Sequence, residues 1–175
     1  EPSQAERFRL IDMIELWLHW LSSGKPVRVE AALYSAMTFF TGARAIEIGK
    51  LYIEDIRLRE DNSALVLPIR ESKTNVFKNV PERLVLFLTP GCPIDIKALY
   101  FRIKGDRKEG RLFQFCKNRR TLCYHYARGA LELKWTRVPT GHSGRTSAIT
   151  MGIAAGVPQV DLEIMFRWTK ILHIK

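Results

Sequence analysis

The hydrophobic pattern of the chain changes its period twice, and this limits the possible folds more than any other feature. Apolar residues recur at helical spacing up to residue 51, alternate in short runs between residues 52 and 80, and return to helical spacing beyond residue 94. A short alternating block between helical blocks is typical of a small antiparallel sheet carried by helices. The sequence therefore predicts an α+β fold that is mainly helical, with one small three-stranded antiparallel sheet.

Turn and capping signals give the expected bounds of the helices. The first helix follows a capping box at residues 3–6, carries apolar residues from Phe8 to Leu21, and is ended by Ser22, Ser23 and Gly24. A second helix is predicted over 29–40, with a break at Thr41-Gly42 and a continuation over 45–51. The remaining helices are predicted over 94–103, 119–133, 146–155 and 160–166, the last two separated by Gly156 and a proline stop.

The three strands are predicted over residues 52–58, 65–69 and 76–80, with turns at 61–63 and 71–75. Pro68 lacks a backbone N–H, so it is expected only at an edge or a bulge of this sheet. Residues 1–175 contain no internal repeat, low-complexity tract or linker, and 46% of them are hydrophobic. One domain with a single core is therefore predicted.

Several classes of protein are disfavoured by the composition. No stretch approaches the ~20 apolar residues of a membrane span, and the first residues do not resemble a signal peptide. An intracellular protein with no membrane partner is expected. The three cysteines, Cys92, Cys116 and Cys123, form no CxxC pair, which argues against a disulfide framework and a zinc site.

The formal net charge of +10 indicates a polyanionic partner. Basic surfaces concentrate nucleic acid and gain affinity by releasing its counterions. Nucleic acid is therefore the leading candidate partner, although the charge alone also fits a protein with a basic surface and no such partner.

One candidate phosphate-binding group is Arg44, which follows the Thr41-Gly42 break and opens a helix. Its guanidinium offers a planar fork of donors that suits a phosphodiester. Glu47 lies one helical turn further on and can hold that fork. By itself such a pair also fits a solvated surface ion pair.

A second group of candidates lies near the end of the chain. Residues 140–146 read Thr-Gly-His-Ser-Gly-Arg-Thr and place His142 three positions before Arg145, and Trp168 follows later. Taken singly, His142 also fits a surface histidine and Trp168 a core tryptophan. A third candidate, Lys73, lies in the turn between the second and third predicted strands, where it also fits a solubilising charge.

In their order, these residues resemble the catalytic motifs of the tyrosine recombinases, the phage-integrase family. The first arginine motif of that family is similar to residues 41–51, its His-x-x-Arg box to His142 and Arg145, and its later His or Trp position to Trp168. Lys73 lies where the family carries a catalytic lysine on a β-hairpin, with Lys78 as a rival. The resemblance spans residues 29–168 and implies the DNA breaking-rejoining catalytic domain.

The resemblance implies site-specific DNA recombination or integration through a 3′-phosphotyrosyl intermediate. Arg44 and Arg145 would hold the non-bridging oxygens of the scissile phosphate, His142 would be the general base and Lys73 the general acid. Trp168 would pack against the site, and Glu47 would support Arg44. The implied partners are double-stranded DNA and further copies of the protein on DNA, with no metal, cofactor or small-molecule substrate.

The chain departs from the family pattern at three places. Gly144 replaces the usual apolar residue before the second arginine, and Arg167 replaces the usual glycine before Trp168. All five tyrosines precede His142, whereas the family's nucleophilic tyrosine follows the Trp168 position. That tyrosine is therefore expected just after Lys175, a separate amino-terminal core-binding domain is expected before the chain, and residues 1–175 alone are expected to be inactive.

Three alternatives remain at this stage. A type IB topoisomerase shares the chemistry and the fold of the catalytic domain, but rejoins the strand within one duplex. A DNA-binding module descended from a recombinase would keep the fold without cleaving DNA. An RNA-binding or ribosome-associated domain would account for the charge, but not for the ordered set of candidate residues.

Overall fold

A computed structural model describes residues 7–68 and 82–166 of the 175-residue chain, except the side chains of 163–166. The helices in these ranges are α1 (Leu10–Ser22), α2 (Pro26–Thr41), α3 (Ala45–Gly49), α4 (Ile96–Lys104), α5 (Arg119–Glu132), α6 (Ser143–Ala154) and α7 (Gln159–Phe166). The strands are β1 (Arg57–Leu58), β2 (Ala64–Pro68) and β3 (Glu82–Leu86). The predicted α+β fold, mainly helical with a small three-stranded antiparallel sheet, is confirmed.

The sheet has the order β1-β2-β3, and both pairs of strands are antiparallel. Two strand predictions were wrong in their bounds. A 3₁₀ turn at Ile53–Asp55 occupies the middle of the first predicted strand, and β1 has only two residues. The strand that pairs with β2 is Glu82–Leu86, beyond the predicted limit at Val80, and residues 76–80 lie outside the described ranges.

The register of β2 and β3 explains why the third strand lies later in the chain. Leu65 pairs with Val85, and both side chains are fully buried in the main core. This pairing places one buried row on the helical side of the sheet. Pro68 is the last residue of β2, opposite Glu82, so the central strand accommodates a proline at its end rather than at an edge.

Helix α2 lies at the centre of the fold, and α1, α3, α4, α5 and α6 all pack on it. It begins with Pro26 at its first position, which suits the fixed φ of proline. It ends where Gly42 adopts a left-handed conformation with φ 68°, which glycine reaches at little cost. This turn reverses the chain into α3 and positions Arg44.

Helix α1 begins at Leu10, later than predicted. Residues 7–9 are not helical, and the capping box proposed at residues 3–6 lies outside the described ranges. Asp12 instead accepts a hydrogen bond from the Arg9 backbone N–H at 3.2 Å. The helix is therefore capped at Arg9, downstream of the capping box that the sequence predicts at residues 3–6. Phe8 is left free of the helix and is buried against the core.

The described residues form a large hydrophobic core and a small separate one. The large core contains buried side chains from Phe8 to Tyr126, and none of the described side chains of α6 or α7. The small core lies between α6 and α7, around Ile149 and Leu162. Among the described residues, no helix is long and apolar enough to cross a membrane.

Candidate functional site

The turn between α2 and α3 positions Arg44. The Thr41 hydroxyl donates to the Met37 carbonyl at 2.6 Å and accepts from the Ala43 N–H at 3.1 Å, which fixes the turn. Arg44 then caps α3 in an extended conformation, with φ −70° and ψ 145°. Its side chain therefore projects from the start of a new helix.

The Arg44 side chain pairs with Glu47, as the one-turn spacing predicts. Arg44 Nη1 lies 3.3 Å from Glu47 Oε1, and the two side chains are 21% and 4% exposed. Because the carboxylate is almost fully buried, the pair differs from the solvated surface ion pair that the spacing alone also allows. Glu47 orients a guanidinium that still reaches the surface.

Arg145 lies in the first turn of α6 and is only 5% exposed. Its Nη1 donates to the carbonyl oxygen of Gly42 at 3.0 Å, across 103 positions of sequence. Gly42 is two residues before Arg44. The structure therefore brings Arg145 to the same turn that carries Arg44.

The close packing of α6 on α2 makes this contact possible. A Cβ atom at Gly144 would lie 2.6 Å from Thr38 Oγ1 and 3.0 Å from the backbone nitrogen of Phe39. Only glycine allows α6 to approach the end of α2 so closely. The glycine that departs from the family pattern thus has a packing role in this chain.

His142 is the residue that caps the amino-terminal end of α6, and it is exposed. Its backbone N–H donates to Thr140 Oγ1 at 3.3 Å, while the Thr140 N–H donates to Ser143 Oγ at 2.8 Å. His142 and Arg145 are three positions apart at the amino-terminal end of α6, the end at which the helix dipole favours anions. We call Arg44, His142 and Arg145 the candidate site.

Sequence reasoning missed two residues beside this site. Arg119 opens α5, and its aliphatic carbons Cγ and Cδ lie where a Cβ at Gly141 would meet them at 2.9 Å. It thus adds a cation next to His142; its only sequence signal was the Arg-Arg pair at the start of a predicted helix. The Tyr34 hydroxyl, on α2, donates to the Ala45 carbonyl at 2.5 Å and so holds the first residue of α3 against α2.

Three of the five tyrosines are buried in the fold. Burial raises the pKa of Tyr34, Tyr100 and Tyr126 above the ordinary value for a phenol, which disfavours the nucleophilic phenolate. Tyr126 is also held by Ser35 at 2.6 Å. Tyr52 and Tyr124 are exposed, at the start of the 3₁₀ turn and on α5 respectively.

Lys73 and Trp168 lie outside the described residues, so their places in the site stay predictions. The same holds for the rival Lys78 and for Arg167. Lys73 nonetheless falls in the segment of the chain that joins β2 to β3.

No protein-family model matches the sequence, and the comparison with curated proteins found no match. Solved structures, in contrast, share the fold over almost the whole chain. The XerH site-specific recombinase bound to its difH substrate, in a pre-cleavage complex, matches 97% of this chain at a TM-score of 0.67 and 15% identity. The XerA recombinase matches 99% of it at a TM-score of 0.64 and 17% identity.

A dimer of lambda integrase bound to a COC′ core site matches 98% of the chain, at a TM-score of 0.64 and 15% identity. The chain spans 49%, 58% and 59% of the lengths of the XerH, XerA and lambda integrase chains. These similarities show that the chain has the fold found in about half of each of these recombinases.

Proposed function

We propose that the chain is the catalytic domain of a tyrosine-type site-specific DNA recombinase or integrase. One observation carries the proposal. Arg145 of α6 donates a hydrogen bond to the turn that bears Arg44, and His142 caps α6, within a fold shared with recombinases. The bond from Arg145 to Gly42 thus joins the two arginine motifs, which are 103 positions apart in the sequence. The net charge of +10 supports duplex DNA as the partner.

In this proposal Arg44 and Arg145 bind the non-bridging oxygens of the scissile phosphate. Negative charge increases on these oxygens in the transition state, so two fixed guanidinium groups stabilise it. The buried Glu47 carboxylate and the Gly42 carbonyl hold the two side chains in place before DNA arrives, which reduces the cost of ordering them on binding.

His142 takes the proton of the attacking tyrosine, and Lys73 gives a proton to the departing 5′ oxygen. Trp168 packs against the site. The tyrosine oxygen forms a bond to phosphorus as the bond to the 5′ oxygen breaks. A 5′ hydroxyl of a partner strand then attacks the phosphorus, and the bond to the tyrosine oxygen breaks. The roles of Lys73 and Trp168 rest on the family resemblance.

We further propose that residues 1–175 alone bind DNA without forming the covalent intermediate. The support is that Tyr34, Tyr100 and Tyr126 are buried and that Tyr52 and Tyr124 have no counterpart in the family mechanism. The nucleophile is expected past Lys175, in the same subunit or donated by a neighbouring one. Self-association on DNA belongs to the same proposal.

The test uses nicked duplexes of randomised sequence, whose nick lets the short leaving strand diffuse away and traps the adduct. The 175-residue chain is compared with a chain extended past Lys175 to its next tyrosine, and with the same extended chain carrying phenylalanine there. A covalent band on a denaturing gel is expected from the extended tyrosine form alone.

Three results would contradict parts of this proposal. A covalent band from the 175-residue chain would place the nucleophile among its five tyrosines, and a Tyr52→Phe, Tyr124→Phe double variant would show whether an exposed one is used. DNA binding without a band from any form would indicate the non-catalytic module. Relaxation of supercoiled plasmid without exchange between two sites would indicate a type IB topoisomerase.

A further inference from the structure

Helix α6 carries His142 and Arg145 but is not part of the main hydrophobic core. None of its described side chains belongs to that core; Ala148 and Ile149 belong to the small core with Leu162 of α7 instead. Helix α6 packs closely on α2, but through Gly144 and buried polar side chains rather than apolar ones, so specific contacts set its position. Two such contacts face α2, at Gly144 and through Arg145, and both lie in the first turn.

A third contact reaches α6 one turn further along, from the opposite end of the sequence. The backbone N–H of Phe8 donates to Ser147 Oγ at 2.9 Å, across 139 positions. Both residues are buried, with 5% of Phe8 and 2% of Ser147 exposed. Because Phe8 belongs to the main core, this hydrogen bond ties α6 to the core.

The same short segment also holds the loop that leads into His142. The Phe8 ring stacks on Trp135, with centroids 5.8 Å apart, and the Arg137 guanidinium lies 4.6 Å from the Phe8 centroid. Arg137 Nη1 donates to the Arg7 carbonyl at 2.7 Å. Trp135 is in turn fixed to α1 by a 3.0 Å hydrogen bond from its indole N–H to Glu15.

Residues 7–9, which we call the strap, therefore contact both sides of the His142 turn. Phe8 binds the helix that follows the turn, and Arg7 and Phe8 bind the loop that precedes it. We propose that the strap is a positioning element for the candidate site, and that Ser147 is the positioning residue through which it sets the places of His142 and Arg145. The inference deepens the proposed function and rests on it for the roles of those two residues.

The strap acts on the free protein, so it can be tested without DNA. In the Ser147→Ala variant, the Phe8 N–H loses its acceptor while the helix keeps its propensity. We expect the NMR cross-peaks of the His142 imidazole and the Arg145 Nε–H to move from their wild-type positions. Ser147→Thr keeps a hydroxyl and is expected to restore them.

The matched control is Ile149→Val, which removes one buried methylene from α6 on the side facing α7. It should lower the thermal stability without moving the His142 and Arg145 signals. If Ile149→Val moves these signals as far as Ser147→Ala does, the effect is one of general loosening and the positioning role is wrong. Wild-type signals in Ser147→Ala overturn it as well.

Duplex binding separates this inference from the proposed function. Ser147→Ala is expected to weaken the affinity for a duplex about fivefold, because one hydrogen bond no longer holds the site in place before binding. Ile149→Val is expected to leave the affinity unchanged. A wild-type chain that binds no duplex would refute the proposed function, while the NMR comparison would still decide the role of the strap. Wild-type duplex binding with unmoved signals in Ser147→Ala would refute the strap alone.

Discussion

At the scale of single residues, Arg145 has both a structural and a proposed functional contact. One N–H group binds the Gly42 carbonyl, and the planar fork of the guanidinium has further donors in fixed directions that suit a phosphate. A lysine offers a single charged centre and cannot reproduce this geometry. This difference gives a direct test of the site.

Arg145→Lys is expected to weaken duplex binding about ten- to hundredfold, since a hydrogen bond to a charged group contributes roughly 1.5–3 kcal/mol. Fluorescence anisotropy with a labelled duplex measures the change. Arg59→Lys is the control, because Arg59 is exposed and lies in the turn region of the sheet, 3.6 Å from Asp61. Equal losses in both variants would show that only the total charge matters.

Glu30 is a buried carboxylate, only 4% exposed, that supports the loop before α5. It accepts hydrogen bonds from the backbone N–H groups of Phe115 at 2.8 Å and Cys116 at 3.1 Å. Burial nevertheless raises the pKa of Glu30 above its ordinary value, because desolvation outweighs these bonds. The folded state therefore holds this proton more tightly than the unfolded state does.

The raised pKa fixes the sign of a pH effect. The free energy of unfolding contributed by Glu30 is highest below the ordinary pKa and falls as the pH rises through the folded pKa. Glu30→Gln keeps an acceptor and should remove this fall. Urea unfolding from about pH 3 to pH 7 measures it and also covers the pH range of the control that follows.

Glu132 provides the opposite control, since hydrogen bonds from His19 and Arg28 lower the pKa of its carboxyl. Its contribution to the free energy of unfolding rises as the pH passes from the folded to the unfolded pKa. Glu132→Gln should therefore change the pH slope in the opposite direction to Glu30→Gln. Slopes that change in the same direction would contradict the assignment for Glu30.

At the scale of elements, the contact between α2 and α6 controls where the candidate site forms. Gly144→Ala would place a methyl group against the backbone of Thr38 and Phe39. The two helices can make room for this methyl group only by moving apart. We expect a loss of about 1–3 kcal/mol in the free energy of unfolding and weaker duplex binding, because Arg145 would be displaced from Gly42. Thermal and urea unfolding measure the first effect.

Gly152 is the matched control on the same helix. A Cβ there would meet the end of the Leu162 side chain at 2.7 Å rather than the backbone of a neighbouring helix. Replacing glycine by alanine within a helix favours the helix by about 1 kcal/mol. This gain offsets the cost of moving the Leu162 side chain, so Gly152→Ala should leave the free energy of unfolding nearly unchanged. If Gly152→Ala is as destabilising as Gly144→Ala, helix packing on α7 matters as much as the contact with α2.

Among the elements, helices were predicted more accurately than strands. The predicted bounds of α2, α4, α5 and α7 lie within three residues of the observed ones, because helical periodicity and caps are local signals. The third strand was misplaced because its register depends on pairing with β2. Alternation between residues 76 and 80 could not show which run of residues forms that pair.

At the scale of the whole molecule, the net charge of +10 predicts that duplex binding depends strongly on salt. Each phosphate neutralised contributes about −0.9 to the slope of log affinity against log salt. Arg119→Gln, which removes the cation beside Gly141, should reduce the slope by about 1. Arg59→Gln should leave it unchanged, and affinity measured over a series of salt concentrations distinguishes them.

An affinity that does not change with salt would mean that the positive charge serves another purpose. A slope equally reduced by Arg119→Gln and Arg59→Gln would instead indicate diffuse binding over the whole surface. Either result would argue against binding of duplex DNA at the candidate site.

The mainly helical α+β class could be predicted from the sequence, and so could Arg44, His142 and Arg145 as candidate site residues, since period, turn chemistry and motif order are properties of the sequence itself. The burial of Arg145 and its bond to Gly42 were not, because they join positions 103 apart. Phe8 shows the same limit. Its helical spacing predicted a place in α1, but the core, Trp135 and Ser147 hold it outside that helix, since contacts between distant segments outweigh a local helical preference of a few tenths of a kcal/mol.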